Sequence, residues 1–253
     1  MILLSVNVNK VATLRNSRGG KLPDVVQVAR DCLKFGANGI TVHPRPDGRH
    51  IRRQDVFDLK TMINLFNEST NPDAYREFNI EGYPSEDFIN LVEEVRPDQV
   101  TLVPDPPEAL TSNAGWKLDK HRQFLKEVSE RFKAIGVRIS LFVDPYDVDD
   151  RFLNELVFIA PDRVELYTEM FASSFQTENQ SNVSEIYRLA GEKLAALKIG
   201  INAGHDLNLN NIGLLRQELP YLAEVSIGHA LFCEAIYLGL QETVSQYLET
   251  LQR

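Results

Sequence analysis

Three histidines in this 253-residue chain stand immediately after short apolar runs. His43 follows Ile40-Thr41-Val42, His205 follows Ile201-Asn202-Ala203-Gly204, and His229 follows Val225-Ser226-Ile227-Gly228. Two glutamates lie inside such runs, Glu81 in Phe78–Gly82 and Glu165 in Arg163–Tyr167. Imidazole exchanges protons near neutral pH. A carboxylate is costly to bury, and a partly dry pocket raises its pKa toward the same range. Any one of these residues alone is an ordinary hydrogen-bonded structural group. Together they spell acid/base chemistry, provided that the fold brings the ends of the runs to one place.

The elements between them supply that condition. Strands are expected at Leu3–Val8, Gly39–Val42, Phe78–Gly82, Gln99–Val103, Val137–Val143, Arg163–Tyr167, Ile199–Ala203 and Ala223–Ile227, because each is short, apolar and closed by polar, Pro or Gly residues. Helical patterns separate them. One runs from Pro23-Asp24 to Gly36, one from an Asp55 N-cap to about Phe66, and one from Ser85 to about Val95. Others cover Lys120–Ile135, about Val148 to Ile159, Ser184–Leu197 and Asn210–Leu219, with a long closing helix at Ala230–Gln252. Ala12–Lys21 reads as a loop, and so does the polar stretch from Thr168 to Ser181. The longest irregular insertion follows Pro104-Asp105-Pro106-Pro107 and runs to about Lys117.

Strand–helix alternation demands a parallel sheet with crossover helices. Eight units in about 250 residues match a closed barrel. The class is therefore α/β, a single (β/α)8 TIM barrel over residues 1–253 with extra loop and helical insertions. A doubly wound sheet would carry a Gly-rich turn after its first strand, where this chain has Asn7-Val8-Asn9-Lys10. In a barrel the strand ends share one rim. There they gather Asn7, Asn9 and Lys10; His43 and Arg45; Glu81; Pro104, with Thr111 beyond; Asp144; Glu165 and Tyr167; Asn202 and His205; and Gly228 and His229. His50 lies in the loop after the second strand, and His121, on a polar helix, reads as a surface residue.

Two anion sites are expected on that rim. Gly204-His205 and Gly228-His229 follow strands seven and eight, where barrels hold phosphate with backbone N–H groups. Arg18, Arg45, Arg49 and His50 offer a side-chain site on the opposite flank. The charge distribution agrees: residues 1–53 carry a net +7 in a chain of net −9. Two anion sites suit either a bisphosphate or two phosphorylated substrates. The overall acidity argues against a nucleic-acid partner. No apolar run is long enough for a bilayer, and the N-terminus lacks a basic leader. Cys32 and Cys233 read as small buried residues of a reducing compartment, so a cytoplasmic protein without a membrane partner is expected. No HExxH or CxxC spacing occurs, so metal-free chemistry without a cofactor is favoured over a metal site.

The segments VNVNKVATLRNSRGG, GITVHPRPDGRHI, NIEG, TLVPD, INAGHDL and SIGHAL, in that order and spacing, resemble the pyridoxine 5′-phosphate synthase family from about Ser5 to the final helix. The resemblance implies a cytoplasmic homo-octamer of (β/α)8 barrels. It also implies condensation of 1-deoxy-D-xylulose 5-phosphate with 3-amino-2-oxopropyl phosphate. His43 and Glu81 match proton acceptors of the family, His205 its proton donor, and Glu165 a further acidic residue of the pocket. Asn7, Arg18 and Gly228-His229 match positions that hold the amino-ketone phosphate. Arg45, His50 and Thr111 match positions that hold the deoxyxylulose phosphate.

Four positions depart from the better-known members. Asn9-Lys10 stands for Asp-His facing the deoxyxylulose phosphate, and Lys10 can serve there as a point charge but not as a proton shuttle. Asp206 stands for the Gly expected to give a backbone phosphate contact, and Tyr167 for a His. None of these removes a proposed acid or base. The rivals are a Schiff-base aldolase, for which Lys10 is the one strand-end lysine, and a non-catalytic sensor, for which the acid/base set would be superfluous.

Overall fold

Along each strand the side chains alternate between two environments, and that alternation fixes the architecture. In the computed structural model, which describes residues 1–105 and 114–252, the strands are β1 Leu3–Asn7, β2 Gly39–Val42, β3 Glu77–Gly82, β4 Gln99–Leu102, β5 Arg138–Val143, β6 Arg163–Tyr167, β7 Gly200–Gly204 and β8 Leu222–Ile227. All pair in parallel in chain order, and β8 returns to β1 to close the barrel. The expected (β/α)8 fold is what forms. Leu4, Val6, Ile40, Val42, Phe78 and Ile80 belong to the apolar core shared with the surrounding helices. The alternate positions Ser5, Thr41, Asn79 and Thr101 of β1 to β4 are polar and bond across strands. Ser5 Oγ meets Thr41 Oγ1 at 2.7 Å, Asn79 Nδ2 donates to Thr41 Oγ1 at 3.3 Å, and Thr101 Oγ1 donates to Asn79 Oδ1 at 3.2 Å. Buried polar groups are tolerated there because they satisfy one another.

The helices follow their local signals. Asp24 caps α2 (Val25–Lys34) by accepting from Val26 N and Gln27 N, and Gly36, at φ +109°, lets the chain leave it. Ser85 caps α4 (Glu86–Val95) through Phe88 N. The helices α5 (Leu118–Ala134), α6 (Asp150–Ile159), α8 (Gln180–Ala196) and α9 (Ile212–Glu218) follow their strands as expected.

Several expectations are corrected. Asn9–Asn16 is a helix, α1, where a loop was expected; its buried side chains are Val11, Ala12 and Arg15, too few apolar residues to show a period. Asp55 is not the N-cap of α3 (Arg53–Glu68) but sits in its first turn, accepting from Arg52 N at 2.7 Å. Glu169–Ser174 forms a short helix, α7, inside the polar stretch after β6. The closing helix is two, α10 (His229–Leu238) and α11 (Leu240–Gln252), because Gly239 takes φ +82°. Cys32 is buried as expected, but Cys233 is exposed. His121 is half-buried, edge-on to Trp116 with centroids 5.2 Å apart. No helix among the described residues is long and apolar enough to cross a membrane.

Candidate active site

The C-terminal rim of the barrel surrounds a cavity of about 500 Å³. Its walls include Asn7, Asn9, Lys10, His43, Arg45, His50, Glu81, Glu165, His205, Asp206, Gly228 and His229. Arg49, Pro104, Asp144, Tyr167 and Asn202 are not part of this wall, but most of the side chains singled out by position come together in it, from β1, β2, β3, β6, β7 and β8. Arg18 does not join them. It lies exposed just past α1 and is not part of this wall. Thr111 lies outside the described residues.

His43 and Glu81 form a pair at the cavity wall. His43 Nδ1 is 3.9 Å from Glu81 Oε2, at the ends of adjacent strands. Burial, aided by Arg45, His50 and Arg49, holds the His43 imidazole well below its usual pKa, so it is neutral. Burial pushes Glu81 up to about 7; Asp105 adds to this, while His205 and Arg45 oppose it. A carboxylate poised there takes up and releases protons at physiological pH. Glu165 is held well above the carboxylate range by burial and by its neighbours Glu81 and Glu224. Both effects favour its protonated form.

A chain of amides fixes this pair from β1. Asn7 Nδ2 donates to Glu81 Oε2 at 3.3 Å, and Asn7 Oδ1 accepts from Asn9 N at 3.1 Å. Asn9 Oδ1 then accepts from His43 N at 2.9 Å. Asn9 thus anchors the backbone of His43 as well as facing the cavity. Two glycines beside these groups make room. A Cβ on Gly204 would lie 2.6 Å from Glu165 Oε1, and one on Gly228 would lie 2.9 Å from the Asn7 carbonyl oxygen.

The basic flank is preassembled. His50 Nδ1 accepts from Ile51 N at 2.9 Å, which leaves its proton on Nε2. Burial together with Arg45, Lys10 and Arg49 lowers its pKa to about 4. Its carbonyl receives Asn16 Nδ2 at 2.8 Å and Arg15 Nη2 at 3.3 Å. Arg45 is buried against Asp105, Nη2 to Oδ2 at 2.6 Å. Lys10 is exposed at the cavity wall, where a hydrated ammonium acts as a point charge.

The strand-end reading missed several participants. Asp105 is one, although the Pro104-Asp105 turn that holds it ends β4. Arg15 and Asp55 are others: Arg15 clamps Asp55 with bonds of 2.6 and 2.9 Å and steadies the His50 loop, a pairing across forty positions that no local pattern encodes. Phe142, Val103, Asn208, Ser226 and Ala230 complete the wall. A second cavity of about 500 Å³ shares His43 and Arg45 and extends over Tyr83, Phe88 and Arg52.

The same arrangement of strands occurs in distant barrels. Phosphoribosyl anthranilate isomerase from Thermotoga maritima superposes with a TM-score of 0.60 at 12% identity, over 100% of this chain and 99% of that one. Tryptophan synthase from M. tuberculosis gives 0.64 at 12% identity over 99% and 93%. At such identities the likeness is one of fold alone. Sequence relatives are much nearer. Pyridoxine 5′-phosphate synthase of Cytophaga hutchinsonii is 50% identical over 253 residues and the whole of both chains. That of Porphyromonas gingivalis is 52% identical over 251 residues, 99% of each. Residues 4–253 match the model of the pyridoxal phosphate biosynthesis protein PdxJ, and the chain belongs to the PdxJ family.

Proposed function

We infer that the rim cavity carries out the ring-closing condensation of vitamin B6 synthesis. The chain is a pyridoxine 5′-phosphate synthase, joining 1-deoxy-D-xylulose 5-phosphate and 3-amino-2-oxopropyl phosphate to give pyridoxine 5′-phosphate, phosphate and water. The observation that carries the residue assignment is the buried Glu81, poised at about 7 and 3.9 Å from a neutral His43.

The reaction needs an amine to add to a ketone, water and phosphate to leave, and an aldol-type closure to complete the ring. Each step moves protons, so several acid/base groups around one cavity are required. Glu81 acts as the base for imine formation and later enolisation. His43 assists deprotonation, and His205 protonates a leaving oxygen. Glu165, whose protonated form burial favours, serves as a hydrogen-bond donor within the pocket. Gly228-His229 at the start of α10, with Asn7, holds the amino-ketone phosphate, where backbone N–H groups and the helix dipole favour an anion. Arg45, His50, Lys10 and Thr111 hold the other phosphate, with Asn9 beside them.

A homo-octamer in the cytoplasm belongs to the same proposal. Ile236 and Tyr237 at the end of α10, 78% and 89% exposed, support an assembly that covers them. Light scattering should then report the mass of eight 28.7 kDa chains. The activity is tested by mixing the purified protein with the two substrates and following pyridoxine phosphate by absorbance. Glu81→Gln or His205→Asn retaining near-normal turnover would overturn the residue assignments.

A further inference from the structure

His205 occupies an unusual backbone position. Its φ is +98°, a region that residues with a Cβ seldom enter and that needs surrounding support. The support is present. Thr168 Oγ1 donates to the Gly204 carbonyl at 2.7 Å and accepts from Asp206 N at 3.3 Å, so one buried hydroxyl clasps the chain on both sides of His205. Asn211 Nδ2 donates to the Asp206 carbonyl at 3.4 Å. The Tyr167 ring meets the imidazole edge-on, with centroids 5.3 Å apart.

Within this frame the Asp206 side chain turns back onto its neighbour. Its Oδ2 lies 2.6 Å from His205 Nδ1. An ionised carboxylate can only accept, so the proton of that bond resides on Nδ1. The other ring nitrogen, Nε2, is then the one that exchanges protons with the cavity that both residues line. The backbone N–H of Asp206, which a phosphate contact would require, is already given to Thr168.

We propose that Asp206 is a positioning residue for His205: it fixes the ring tautomer and orientation so that Nε2 is the proton-exchanging atom, and it makes no direct contact with a substrate phosphate. This rests on the assignment of His205 as a proton donor. Nε2 first takes up a proton released by the substrates in an earlier deprotonation step, giving the imidazolium. It then passes that proton to the leaving oxygen and returns to the neutral Nδ1–H ring, and the Nδ1–H···O bond to Asp206 persists throughout.

The test combines three variants of the full chain with ¹⁵N-histidine NMR. In the wild type, the neutral His205 ring should carry its proton on Nδ1; a proton on Nε2 overturns the proposal without any variant. Asp206→Asn should shift the tautomer balance and lower kcat about 10- to 100-fold, with KM for both substrates within about twofold. Adding Asp206→Asn to His205→Asn should cost nothing further, because one residue acts through the other. A raised KM with unchanged kcat, or losses that multiply in the double variant, overturns the positioning role. Normal turnover in His205→Asn alone overturns the donor assignment itself, and the tautomer measurement on the wild type separates that failure from the first.

Discussion

His43 Nδ1 and Glu81 Oε2 stand 3.9 Å apart at the ends of neighbouring strands, a neutral imidazole beside a carboxylate whose pKa has climbed to about 7. The rate should follow the carboxylate. As a base Glu81 must be ionised, so kcat/KM should rise as pH climbs through about 7. His43, already neutral well below 6.5, should add no step in that range. Glu81→Gln should lower kcat about 10²- to 10⁴-fold and erase the step, as a pH–rate series would reveal.

The same group makes stability depend on pH. The folded pKa of Glu81 is raised above its ordinary value of 4.5. Its contribution is therefore fully favourable below about 4.5 and is lost as pH rises through about 7. Glu81→Gln does not suffer that loss. The variant should gain on the wild type between those pH values and lead by roughly 3 kcal/mol above them, as urea denaturation at pH 5 and pH 8 would measure.

Asp105 tunes Glu81 from the end of β4. Its negative charge raises the Glu81 pKa, and Arg45, to which it is bound at 2.6 Å, lowers it. Asp105→Asn should move the acid limb of the rate profile below 7, since the opposing charge goes and Arg45 remains. The variant should also lose about 3 kcal/mol of stability, because a buried guanidinium is left without its carboxylate. An unmoved acid limb would contradict this coupling.

Gly204 leaves no room for a side chain at the rim. Gly204→Ala would set a methyl 2.6 Å from Glu165 Oε1 and 3.0 Å from the Ser226 carbonyl oxygen. The expected cost is about 1–3 kcal/mol, together with a fall in kcat as Glu165 is pushed aside. Denaturant melts and steady-state kinetics on the same preparation would read both.

Much of this was legible in the chain because strand ends announce themselves. Ile40-Thr41-Val42 followed by His43-Pro44 reads as a buried strand that proline stops, and the Gly-His turns after β7 and β8 repeat the signal. The alternation of such strands with helices was enough to choose the barrel. What stayed hidden depends on partners distant in sequence. Arg15 is buried only because Asp55 receives it, so α1, with two apolar residues on its inner side, looked like a basic loop. Asp105 looked like turn chemistry until Arg45 was seen against it. Asp206 stood out in the sequence only as a departure from a Gly expected to give a backbone phosphate contact. Its bond to the preceding imidazole depends on the backbone angle of His205, which residue types do not specify. The break at Gly239 was visible as a glycine, but the apolar pattern continuing on both sides masked it.

The Arg15–Asp55 clamp has one further consequence. It ties α1 to the first turn of α3 and holds the intervening loop by the His50 carbonyl, before any substrate arrives. Ordering a loop upon binding consumes part of the binding free energy. Here that cost falls on folding instead, and the attraction between this flank and an incoming phosphate is free to appear as affinity.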